Sequence, residues 1–311
     1  MSLNSFSDAL DGAPQDALVS PQHLDLRLKP ATDTSPVDIV IPTMKLTAIP
    51  GAMRKMGWEV AASLMDRWFA SPAWEMPSYW KDPGSQPPGN IALPRATQIP
   101  AAHVDNRIVT MDWAMTFPRC QAACRQLLEK VSNPAAVNRL RRVLKDARWD
   151  GVSRFSLGRV DYDAREIDET CQVNMVTLGT MGDTLDDMYG ALGVATVKIG
   201  VVGEAMLDTI TGRQIFTVQK VGIYIRDYYD FNGFQFLGTW TESGVLSKGQ
   251  MLANAFMDAQ VYAWQGDGIG TVFNSDFAEY RKRYGRGGDF VIYSDVLWIS
   301  YSYAIDLSDP T

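Results

Sequence analysis

QIFTVQKVGIYI, residues 214–225, is rich in β-branched and aromatic residues, contains no proline and reads as a strand. Similar runs surround it. FSLGRV at 155–160, CQVNMVTL at 171–178, VATVKIGVV at 194–202, FQFLGTW at 234–240 and FVIYSDVLWISYSYAI at 290–305 are further strand candidates, separated by Gly, Asp and Asn. Six or more such runs predict a mostly antiparallel sheet, a sandwich or a curled half-barrel. Two short helices, at 183–192 and 248–263, are expected to interrupt them.

Upstream of Gly151 the hydrophobic period changes from two to between three and four. Met53, Met56, Val60, Leu64 and Trp68 share one face of a helix expected over 51–70. A second helix is expected over 118–131. A third, over 134–148, opens at Asn133-Pro134, an N-cap followed by proline at the first helical position. Between them lies a connector at 72–101, with prolines at 72, 77, 83, 87, 88, 94 and 100 that exclude regular helix and central strand. The fold class is therefore α+β, a helical N-terminal half packed with a strand-rich C-terminal half. Residues 1–44 read as a flexible arm, in which VDIVIP at 37–42 suits an isolated strand. The remainder divides into a helical region at 45–150 and a β-rich region at 151–311, either separate or packed as one continuous domain.

Composition narrows the function. Apolar residues make up 46% of the 311, which excludes general disorder, and nine Trp, twelve Tyr and twelve Phe supply area for a core or an interface. The net charge of −7 repels nucleic acid. One local exception, Arg139, Arg141, Arg142, Lys145 and Arg148 on a predicted helix, is either a solvated face or a patch for a partner or nucleic acid. Of three cysteines, Cys120 and Cys124 are one helical turn apart with no further ligand nearby, so zinc is a poor fit and a reducing cytoplasm is the expected folding compartment. The N-terminal sequence has no basic, then apolar, signal pattern, and no run is long enough to span a membrane as a helix.

Motifs for serine hydrolases and phosphate-binding loops are absent, and the two histidines, His23 and His103, fall in the arm and in the proline-flanked connector. Chemistry would then rest on carboxylates, tyrosine or arginine. In IRDYYDFNGF, residues 225–234, strand alternation places Asp227 and Tyr229 on one side, and Asp230 can turn back towards them. These oxygens would hold a divalent cation, form an acid–base pair, or simply shape a turn beside Gly233. Asp289, in RYGRGGDF at 283–290, is a fourth candidate; capping and turn formation account for its neighbours.

IPGAMRKMGWEVAASLMDRWFASPAW, VDNRIVTMDWAMTFPR, DYYDFNGFQFLGTW and NSDFAEYRKRYGRGGDFVIYSD together resemble an uncharacterised family of Gram-negative bacterial proteins associated with type VI secretion loci, over residues 45–305. That resemblance implies an effector or toxin acting on another bacterium, made in the cytoplasm and delivered by a contractile secretion system without a signal peptide. Its implied partners are a spike protein, an adaptor or an immunity protein. The alternative from another class is a non-catalytic adaptor or structural partner of the apparatus. Asp227-Tyr228-Tyr229-Asp230-Phe231 is also similar to the active-site segment of colicin M-type bacteriocins, which implies a phosphoesterase using Asp227, Tyr229 and Asp230. Phe236-Leu237 stand where that family's His-Arg pair is expected.

Overall fold

In a computed structural model the chain is described over residues 44–81, 94–180, 182–233, 235–246 and 269–308. The expected strand at 37–42 and helix at 248–263 lie outside these residues, as does nearly all of the expected arm. The run at 214–225 belongs to β5 (Arg213–Tyr229), which forms a long antiparallel hairpin with β4 (Ala195–Asp208). Asp208 fixes the turn by accepting from Ile210 N at 3.0 Å and Thr211 Oγ1 at 2.6 Å. The other edge of β4 carries β2 (Phe155–Leu157) and β3 (Gln172–Leu178), both antiparallel. The other edge of β5 carries β9 (Phe290–Tyr293) and β10 (Leu297–Asp306), also antiparallel. β1 (Val104–Asp105) joins β9 in parallel. A smaller antiparallel sheet joins β6 (Phe236–Thr241) to β7 (Gly244–Val245) and β8 (Ile269–Phe273).

The long hairpin has two unlike faces, because successive side chains point to opposite sides. Val197, Ile199, Val201, Val221, Ile223 and Ile225 are fully buried. They join one apolar cluster with Leu127 of α4 (Pro118–Glu129) and Leu140 and Leu144 of α5 (Pro134–Asp146). The helical hairpin forms as expected: Asn133 accepts from Ala136 N at 2.8 Å, and Pro134 occupies the first turn, where its missing N–H costs nothing. On the opposite face Thr196, Lys198, Tyr224 and Arg226 alternate with that apolar set.

The sequence expectation of one helix over 51–70 is corrected to two, α1 (Ile49–Lys55) and α2 (Glu59–Ala70). Gly57 adopts φ of 78°, a left-handed conformation that ends the first helix. Asp187, the first residue of α7 (Asp187–Leu192), then stands in for a missing cap on α2, accepting from Ala61 N at 2.9 Å and Val60 N at 3.2 Å. Other elements without a counterpart in the sequence reading include β1, β7, β8, the short α3 (Met111–Ala114) and α6 (Ala164–Thr170). α8 (Asn274–Tyr284) stops at Gly285, whose φ is 62°, a left-handed cap that glycine adopts without strain. The layout of helices first and strands later holds. Its two halves share a single hydrophobic cluster.

Candidate functional site

Near its end β5 carries two adjacent residues that face opposite ways. Asp227 is registered against Ile292 on the core side, and Arg226 against Tyr293 on the other. Each belongs to a separate polar cluster.

The core-side cluster contains the residues singled out from sequence. Asp289 is fully enclosed and accepts from Trp68 Nε1 at 2.9 Å and from Met76 N at 2.9 Å, while pairing with Arg281. It thereby ties α2, the connector and α8 together. Asn232 extends the set, with Nδ2 3.4 Å from Asp289 Oδ2 and its backbone N–H donating to Asp230 at 3.2 Å. Asp230 also accepts from Lys81 Nζ at 2.6 Å. Tyr229 is a core residue, stacked on Phe290 with ring centroids 5.0 Å apart. Asp227 differs from the other carboxylates. Burial pushes its carboxyl well above the usual range, partly opposed by the Tyr228 backbone N–H and reinforced by the charge of Asp230. The structure thus gathers Asp227, Asp230 and Asp289 around the end of β5. Among the described residues no group of three or more His, Cys, Asp or Glu side chains is placed to hold a metal ion.

The second cluster is centred on Asp168 of α6. Lys198 Nζ donates to its Oδ1 at 2.6 Å and Tyr224 Oη to the same oxygen at 2.7 Å. Tyr293 Oη donates to Oδ2 at 3.0 Å, and Arg226 Nη1 lies 3.2 Å from that oxygen. Burial raises the Asp168 carboxyl, but the charges of Lys198 and Arg226 and the hydrogen bonds outweigh it and hold it below the usual carboxylate range. With four donors around it, this carboxylate is an anchor and a poor base. Burial lowers Lys198 despite its acidic partner. Arg226 passes its second terminal nitrogen to Tyr228 Oη at 2.8 Å, and that hydroxyl donates to Trp80 O at 2.8 Å. Nε of Arg226 is buried with no hydrogen-bond partner.

A capping box holds α6 in place to present Asp168. Asp163 accepts from Glu166 N at 2.8 Å and Glu166 returns the bond to Asp163 N at 2.9 Å. The D-A-R-E run at 163–166 was the signal available for this helix. A cleft of about 340 Å³ beside α6 is lined by Tyr162, Asp163, Tyr293 and Asp295 among others. Its carboxylates have structural partners: Asp163 caps α6, and Asp295 accepts from Met111 N at 2.6 Å. On the basic helix α5, Arg141 is likewise structural, with Nε donating to Leu307 O at 2.7 Å and Nη1 to Asn138 Oδ1 at 2.8 Å.

A family model described as "Family of unknown function (DUF6402)" matches residues 44–308, most of the chain. The chain belongs to this family. No curated protein and no solved structure matches it. The matched residues of this DUF6402 member run from the start of the described helical region to the end of β10, so both polar clusters lie within the family region. No helix among the described residues is long and apolar enough to cross a membrane.

Proposed function

We propose that the protein works by binding, as a non-catalytic adaptor or structural partner of a type VI secretion apparatus. The observation that carries this reading is the employment of the candidate carboxylates. Asp289 accepts from Trp68 and Met76 and pairs with Arg281, while Asp230 is held by Lys81 and Asn232. A general base or metal ligand needs a lone pair free for substrate or ion. Both oxygens of Asp289 and Oδ1 of Asp230 are already engaged in joining elements of the fold. Tyr229, stacked in the core, contributes packing rather than an accessible hydroxyl.

The second reading is an effector or toxin acting on another bacterium, and Asp227 is the residue that favours it. Burial disfavours the ionised form of its carboxyl, the direction of shift that suits a general acid. The two readings separate on expression. An adaptor leaves bacteria unharmed whether the chain is kept in the cytoplasm or sent to the periplasm, and it is recovered with a spike protein of the apparatus. Killing confined to periplasmic expression, and abolished by Asp227→Asn, overturns the adaptor reading in favour of the effector.

A further inference from the structure

The Asp168 cluster places two cationic side chains against one carboxylate. Lys198 and Arg226 keep only 11% and 24% of their side-chain surface, and Asp168 keeps 5%. Tyr224 and Tyr293, which complete the shell, are fully buried. With both cations charged, the set carries one uncompensated positive charge in a largely dry setting, and such a charge is costly unless a counter-ion meets it. The donor count points the same way. Asp168 satisfies one face of the Arg226 guanidinium and Tyr228 takes one terminal nitrogen, which leaves Nε buried and unused. An orphaned buried donor of this kind is what an incomplete polar site leaves.

Neighbouring positions supply further polar groups. Thr196 lies directly opposite Arg226 on β4, and Thr177 opposite Thr196 on β3, so three side chains stand in a row on the α6 face of the sheet. Lys198 is two residues along β4 on the same face. Among the described residues neither threonine hydroxyl has a hydrogen-bond partner, and Thr177 is exposed. The row offers donors from a guanidinium, an ammonium and hydroxyls, a set suited to an oxyanion.

We infer that Arg226 and Lys198, with the hydroxyl of Thr196 on the same strand as Lys198 and opposite Arg226, form a binding site for an oxyanion, the phosphate or carboxylate group of a ligand. Asp168 is the positioning residue that holds both cations towards it. The site is separate from Asp227, which faces the other side of β5.

Titration of the full chain with inorganic phosphate, and separately with acetate, tests this at constant ionic strength set with chloride, so that general screening is held fixed. The Nε–Hε resonance of Arg226 is the readout. Saturable movement with phosphate identifies a phosphate group as the ligand chemistry, and saturable movement with acetate alone identifies a carboxylate. Lys198→Met should weaken binding by about tenfold and Thr196→Val by a few-fold, in line with loss of a charged and a neutral donor respectively. An Arg226 resonance that neither anion moves up to tens of millimolar overturns the proposal. So does unchanged affinity in a folded Lys198→Met variant. Should that variant not fold, the wild-type titration alone decides.

Discussion

Gly200 and Gly222 face each other across β4 and β5, and the space left by their absent side chains is filled by Ile167 of α6. A Cβ at Gly200 would overlap Ile167 Cγ2, and one at Gly222 would come within 2.8 Å of Val296 Cγ1 and 3.1 Å of Ile167 Cδ1. The glycine pair sets the depth at which α6 sits, and hence whether Asp168 reaches Lys198. Gly200→Ala should lower stability by about 1–3 kcal/mol through overpacking. Adding Ile167→Ala should recover part of that loss, so urea denaturation of the two single variants and the double variant should show coupling. Simple additivity would mean that α6 is not seated on the glycines.

Asp168 gives the fold an acid limit. Its folded-state pKa is depressed, so its contribution is present above the unfolded value of about 3.9 and is lost as the pH falls through the lower folded value. Asp168→Asn should flatten that acid limb in urea melts followed from neutral pH down to about pH 3. At neutral pH the same variant leaves Lys198 and Arg226 without their counter-charge, a loss of about 3–5 kcal/mol.

Asp227 should behave oppositely. Its folded pKa is raised, so the stability linked to it is full below the unfolded value of about 3.9 and declines as the pH rises towards the folded value. Asp227→Asn, which keeps shape and removes the titration, should therefore be more stable than wild type at pH 8 by about 1 kcal/mol or more, a gain of about 2–4 °C in melting temperature. Near pH 4 the two proteins should converge. A variant that melts lower at both pH values would show that the carboxylate itself holds a contact.

Asp289 is predicted to be structural. Asp289→Ala strands the buried guanidinium of Arg281 and the indole N–H of Trp68, so thermal melting should report a loss of about 3–5 kcal/mol. Trp68→Phe removes one donor while keeping most of the ring contacts with Phe231 and Phe277 and should cost less. An Asp289→Ala protein with unaltered melting and lost biological effect would restore Asp289 to the catalytic reading.

The legibility of this fold in its sequence followed the strength of local signals. β3, β4, β5 and α5 were readable because β-branched runs and an Asn-Pro cap act within a few residues. Gly57 was visible too, but whether a glycine ends a helix depends on whether the next turn packs in line. Trp58, wedged edge-on against Trp240 at 6.3 Å, belongs to contacts far away in sequence. α6 has only seven residues and borrows its stability from the glycine platform, so its periodicity is too short to stand out. The Asp168 cluster draws on α6, β4, β5 and β9, and no spacing in the chain announces such a meeting. The carboxylates at 227 and 230 stood out because only Tyr228 and Tyr229 separate them. The partners of Asp230, Lys81 and Asn232, show how a run that looks reactive can serve to close a corner.

The pairing of Val104 with Val291 has a consequence for how the protein is made. A ribosome releases β1 long before β9 exists, and during that interval the two residues of β1 have no ladder to join. The same delay affects β5, whose second edge waits for β9 and β10. Helices α4 and α5 can form early from local contacts, whereas the central strand remains half-paired until synthesis has passed residue 290. The nascent chain thus carries an open edge on β5 from the completion of that strand at Tyr229 until β9 begins at Phe290, and chaperone capture or a slow translation pause would act on that edge.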